Sequence, residues 1–123
     1  MAYLIQSIIT FAIPLLIVAL AGVFSERSGI INIALDGIMI FGAFIGVFFV
    51  KIFVEAGITA DMGQILLSII ILLVAVFGAL FALLLAFASV HLKADQTIGG
   101  TALNLLAPAL VLFLVLIICQ QNY

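Results

Sequence analysis

The feature that most constrains this chain is where its charges stand. Three basic and five acidic residues are gathered into a few short segments. Between them Met1–Ser25, Gly37–Val50, Met62–Leu92 and Gln96–Tyr123 carry no Asp, Glu, Lys or Arg. A bilayer hydrocarbon core of about 30 Å takes roughly 20 helical residues to cross. Three of the stretches meet that length directly. The second meets it when extended back to Ile33, about 27 Å of helix, which admits Asp36. Closed β-barrels, the other spanning solution, need alternating apolar and polar residues. Runs such as Ile69-Ile70-Ile71-Leu72-Leu73-Val74 do not alternate. The expected class is all-α, a polytopic transmembrane helical bundle with spans at about 5–24, 33–50, 64–90 and 101–119. Composition agrees: 69% of the 123 residues are apolar and 7% are charged, against about 25% charged in soluble domains.

Such a composition excludes a cytosolic enzyme and a disordered tail. A net charge of −2 with three basic residues gives no grip on a nucleic-acid backbone. Cys119 is the single cysteine, so no internal disulfide forms. Ala19-Leu20-Ala21 imitates a signal-peptidase site, but no Lys or Arg precedes it, and a signal sequence needs a positive start. The first span is therefore expected to stay. Arg27 falls in the first connection and His91 with Lys93 in the third; Lys51 falls in the second, with Glu55 and Asp61. The positive-inside rule then places the first and third connections in the cytoplasm and the N-terminus outside.

In a bilayer the informative residues are the small and polar ones. Gln6, Thr10 and Pro14 share one face of the first span, and Pro14 removes a backbone donor and is expected to kink it. Gly42 and Gly46 form a GxxxG in the second span, and Ala75, Ala79, Ala82, Ala86 and Ser89 form a stripe on the third. Both patterns are expected to pack helices together. Phe41, Phe44 and Phe48 occupy another sector, expected to face lipid.

Ser28-Gly29 interrupts the first helical pattern, and Asn32 is a natural N-cap for the second span. Asp36 lies about one turn further on, where the helix dipole favours a negative charge. Asn32 and Asp36 thus read either as a capped interfacial helix start or as groups facing a wet cavity. Thr97, Thr101, Asn104 and Pro108 share one face of the fourth span, and Gly99-Gly100 lowers helix stability beside them. Irregular backbone at membrane depth is tolerated where it lines a cavity or is buried in protein. The two readings here are a substrate pathway bordered by Asn104, which is favoured, and an ordinary turn followed by an interhelical hydrogen bond.

Several chemistries are set aside. No G-x-x-x-x-G-K-[ST] is present, hence no ATP site of that kind. One His and one Cys do not make a zinc site. No Ser, His and acid arrangement suggests acyl transfer. No catalytic residue, metal or cofactor is expected.

Two long segments carry a resemblance. Gly22-Val23-Phe24-Ser25-Glu26-Arg27-Ser28-Gly29-Ile30-Ile31-Asn32-Ile33-Ala34-Leu35-Asp36-Gly37-Ile38-Met39 resembles the first signature region of ABC-importer permeases for nucleosides and simple sugars. Leu92-Lys93-Ala94-Asp95-Gln96-Thr97-Ile98-Gly99-Gly100-Thr101-Ala102-Leu103-Asn104-Leu105-Leu106 resembles the second. The nearest subset works with a basic-membrane-protein-type lipoprotein receptor and usually has Glu where Asp36 stands. The resemblance implies part of a type II ABC-importer permease fold, truncated at the C-terminal side. It implies a plasma-membrane subunit working with a second permease subunit, two cytosolic ATPase subunits and an extracellular substrate-binding lipoprotein, with ATP hydrolysis outside this chain. By the resemblance Asn32, Asp36, Gln96, Thr101 and Asn104 line or shape the pathway. Pro14, Gly29, Gly99, Gly100 and Pro108 are the candidate hinges or helix breaks. The rivals are a small oligomeric ion-coupled transporter or channel using Asp36 near the midplane, and an inactive remnant.

Overall fold

The computed structural model describes residues 1–58 and 63–120; Asp61 of the second connection and residues 121–123 at the end of the chain lie outside them. Four helices follow in order: α1 (Ala2–Arg27), α2 (Leu35–Glu55), α3 (Gly63–Val90) and α4 (Gln96–Gln120), with no strand among the described residues. Each is long and apolar enough to cross a membrane. The chain is a multi-pass membrane protein.

The helix ends follow local chemistry. After α1, Gly29 N–H donates to Glu26 O at 3.0 Å and Ile30 N–H to Ser25 O at 3.3 Å. That is the Schellman pairing, which needs a left-handed residue after the cap; Gly29 supplies it with φ +85°. Helix α2 corrects two expectations. It starts at Leu35, with Ala34 rather than Asn32 as its N-cap residue. It also runs on to Glu55, so Lys51 and Glu55 belong to its last turns and not to a connection. Nothing between them breaks a helix, and their exposed heads form an i,i+4 ion pair at 3.7 Å. Helix α4 starts at Gln96 and is continuous through Gly99, Gly100 and Pro108, where a helix break was one expectation. Its first turn is capped by Asp95, whose Oδ1 accepts from Thr97 N–H at 2.8 Å.

Helix α2 is central. It packs antiparallel on α3 and parallel to α4. Val74 sits over the GxxxG of α2, its methyls 3.4 and 3.5 Å from where Cβ atoms on Gly42 and Gly46 would stand. Phe41 stacks on Phe81 with ring centroids 4.9 Å apart. It flanks a core of Ala34, Phe81, Leu85, Leu103 and Ala107, so its expected lipid-facing place is overturned; Phe44 and Phe48 are half-buried and line an open groove beside α4. The small stripe of α3 packs little inside this chain, with Ala75 and Ala79 exposed.

Helix α1 stands apart. None of its residues is buried, and its close approach to the rest is Gly22 beside Leu35. Accessible surface totals 9108 Å², whereas a compact soluble monomer of this mass exposes about 6,300 Å². The excess is apolar helix surface suited to lipid or to other helices.

Candidate functional site

The two segments singled out in the sequence meet at one end of the α2–α4 pair. The contact is built on missing side chains. A Cβ on Gly37 would lie 2.9 Å from Leu103 O and 3.0 Å from Asn104 Oδ1. A Cβ on Gly100 would lie 2.9 Å from Ile33 Cβ and 3.3 Å from Ala34 N. Only residues without a side chain let these backbones come so close, and Ala34 and Ala107, both fully buried, extend the seam.

Two primary amides lock that seam. Asn104 Oδ1 accepts from Gly37 N–H at 2.8 Å, and its Nδ2 donates to Ile33 O at 2.7 Å. Gly37 occupies the third position of α2, whose N–H has no partner within its own helix. Ala34, the cap residue, has no side-chain hydrogen bond to give. Asn104 therefore caps α2 from another helix. Gln96 repeats the arrangement one stage earlier: its Oε1 accepts from Ile31 N–H at 2.8 Å, and its Nε2 donates to Gly29 O at 3.4 Å. Each amide offers an acceptor to one backbone N–H and a donor to one backbone carbonyl of residues 29–37.

The candidate residues thus divide. Asn104 and Gln96 are engaged by the backbone of residues 29–37. Asn32 Oδ1 accepts from Ala34 N–H at 3.1 Å, an Asx turn that shapes the entry to α2. Thr101 is exposed, and its hydroxyl donates to Thr97 O at 2.8 Å within α4. Asp36 is exposed in the first turn of α2, and among the described residues nothing hydrogen-bonds to its carboxylate. Asn32 and Asn104, not Asp36, hold the Ala34 and Gly37 amides at this helix start. Gly29 ends α1, while Pro14 lies within α1 on an exposed surface. The seam residues Ala34, Gly37, Leu103 and Ala107 were missed as contacts. Small residues at 34 and 37, and at 100 and 107 around Leu103, were the available signal. Among the described residues no cluster of His, Cys, Asp and Glu could hold a metal ion.

The pattern of a family described as "Branched-chain amino acid transport system / permease component" matches residues 4–123, both segments of the seam included. The chain belongs to this permease family. This chain is 40% identical over 119 residues to the guanosine ABC transporter permease NupQ of Bacillus subtilis, covering 96% of this chain and 35% of that relative. It is 42% identical over 119 residues to the nucleoside ABC transporter permease NupC of Lactococcus lactis, covering 97% and 36%. An uncharacterized protein of Mycoplasma genitalium, MG121, is 39% identical over 114 residues, covering 89% and 36%. The chain spans about a third of the length of these relatives. No solved structure matches it. Permease subunits of this kind are not themselves enzymes. The rival built on proton exchange at Asp36 is not supported: the family is one of transport-system permease components, relatives of this chain are named ABC transporter permeases, and Asp36 lies in the first turn of a helix.

Proposed function

We propose that this chain supplies four of the spans of a nucleoside-import permease, driven by ATP hydrolysis on separate cytosolic subunits. In this reading it works with a second permease subunit and an extracellular substrate-binding lipoprotein in the plasma membrane, its N-terminus outside. The observation that carries the reading is the seam. Two segments 60 or more residues apart in sequence converge through Asn104 and Gln96 on one loop. The likeness to relatives named for guanosine and nucleoside transport supports the choice of substrate class.

Within this reading Asn104, Gln96 and Asn32 shape the pathway by fixing the start of α2. Asp36 and Thr101 line it, Asp36 offering acceptors to the hydroxyl and N–H donors of a nucleoside. Gly29 and Pro14 let α1 move against the fixed block, to which Gly100 belongs through its close approach to Ile33 and Ala34. The first and third connections lie on the cytoplasmic side, where Glu26 and Arg27 stand.

The test is uptake into vesicles holding the complex isolated from native membranes through a tag on this chain. ATP-dependent entry of labelled guanosine, absent with the chain alone, is the expected result. Entry of leucine but not guanosine overturns the substrate class. Guanosine entry with this chain and the ATPase only overturns the need for other membrane subunits.

A further inference from the structure

At the end of the α2–α4 pair opposite the seam, glycine gives way to bulky side chains and a groove of about 220 Å³ opens between the helices. Phe44 and Phe48 of α2 form one wall, their rings stacked at 6.1 Å. Val115, Ile118 and Cys119 of α4 form the other, and Lys51 stands at the rim. Lys51 lies about 24 Å along α2 from its start, close to a full membrane crossing, so the rim sits at the lipid–water boundary. One turn further out is Glu55, its carboxylate 3.7 Å from the Lys51 ammonium and exposed.

We propose that this groove binds one diacyl phospholipid carrying a primary ammonium headgroup, that is, phosphatidylethanolamine. The groove is apolar and larger than the ~150 Å³ cavities that stay dry and take up hydrocarbon. An acyl chain therefore fills it between the phenylalanine wall and α4. The charges then match the headgroup in sign and in order. Lys51, nearer the hydrocarbon, meets the phosphate; Glu55, further out, accepts hydrogen bonds from the ammonium. The Lys51–Glu55 pair is solvent-exposed and weak by itself, so opening it to take in a headgroup costs little. A trimethylated choline headgroup has no N–H to give Glu55. A glycerol headgroup brings no positive charge to it.

Native mass spectrometry of the full chain tests the site, with phosphatidylethanolamine, phosphatidylglycerol and phosphatidylcholine of identical acyl chains. The expected result is retention of one phosphatidylethanolamine about five-fold over phosphatidylcholine, the size of one interfacial ion pair. Glu55→Gln is expected to abolish that preference and raise phosphatidylglycerol to the same level. Lys51→Gln is expected to lower all phosphate-bearing lipids together, and Lys93→Gln, at the other end of the molecule, to change nothing. Circular dichroism of each variant confirms that the helices persist. Equal retention of the three lipids, a preference unmoved by both rim substitutions, or an equal shift from Lys93→Gln overturns the proposal. So does a lipid-free dimer filling the groove with a second copy.

Discussion

Where α2 begins, it meets α4 through Gly37, Gly100 and two amide side chains, with backbone atoms at close contact. At their far ends the same two helices face each other through Phe44, Phe48 and Ile118 across an open groove. The first contact is specified by shape and by directed hydrogen bonds, which tolerate little change. The second is specified by apolar area alone, and lipid can stand in for protein there. Rigidity and adaptability are thus placed at opposite ends of one helix pair, and the two segments singled out in the sequence meet at the rigid end.

The sharpest way to break this contrast is Gly37→Ala. The added carbon meets Leu103 O at 2.9 Å, a backbone atom that cannot rotate away, and crowds Asn104 Oδ1 at 3.0 Å. Overpacking and loss of the cap act together, for an expected loss of about 3 kcal/mol. Reversible unfolding in mixed micelles measures it. A loss no larger than that of a mid-helix substitution at the groove end would show that the seam is not the rigid contact described.

Removing the amides separates their contributions. Asn104→Leu keeps the branched shape of the side chain but leaves the part-buried Gly37 N–H unpaired, an expected cost of about 2 kcal/mol. Gln96→Leu acts on exposed backbone that water can satisfy, so about 1 kcal/mol is expected. Amide hydrogen exchange assigns each loss: Asn104→Leu should speed exchange at Gly37 and spare Ile31, and Gln96→Leu the reverse. Equal effects of both variants at both amides would mean one cooperative clamp instead of two separate staples.

Much of this was legible in the chain and some was not. The four helices follow from the charge-free runs, because burial in lipid leaves an apolar segment no alternative to helix. The break at Gly29 was legible because only a left-handed residue closes that turn. Asn104 was singled out correctly as a group needing partners, but periodicity gives a face and not the identity of what lies opposite. That its partner is the amide of Gly37, on the start of another helix, depends on register between distant segments. Gly99 and Gly100 read as a weak point because intrinsic propensity sees only the helix they sit in. The close approach of residues 33 and 34 to Gly100 makes glycine a packing requirement there, and the helix stays intact. Phe41 was misjudged for a related reason. In a membrane an aromatic ring suits lipid and protein equally, and only the position of Phe81 decides.

A smaller expected effect, at Gly46, has the most informative sign. A GxxxG pattern read by itself predicts that any side chain there pushes α2 and α3 apart and destabilises the pair. A Cβ on Gly46, however, would lie 3.5 Å from the nearest Val74 methyl, an ordinary contact. Replacing glycine by alanine inside a helix is worth roughly 0.5–1 kcal/mol through the conformational freedom that glycine loses on folding. With no clash to offset it, Gly46→Ala is expected to stabilise the chain by about 0.5 kcal/mol, opposite in sign to Gly37→Ala in the same helix. At Gly42 the corresponding distance is 3.4 Å, where a slight shift of Val74 cancels the gain and the change is expected to fall near zero. A measured order in which Gly46→Ala destabilises as much as Gly37→Ala would place the decisive close approach between α2 and α3, and would reduce the α2–α4 seam to a secondary contact.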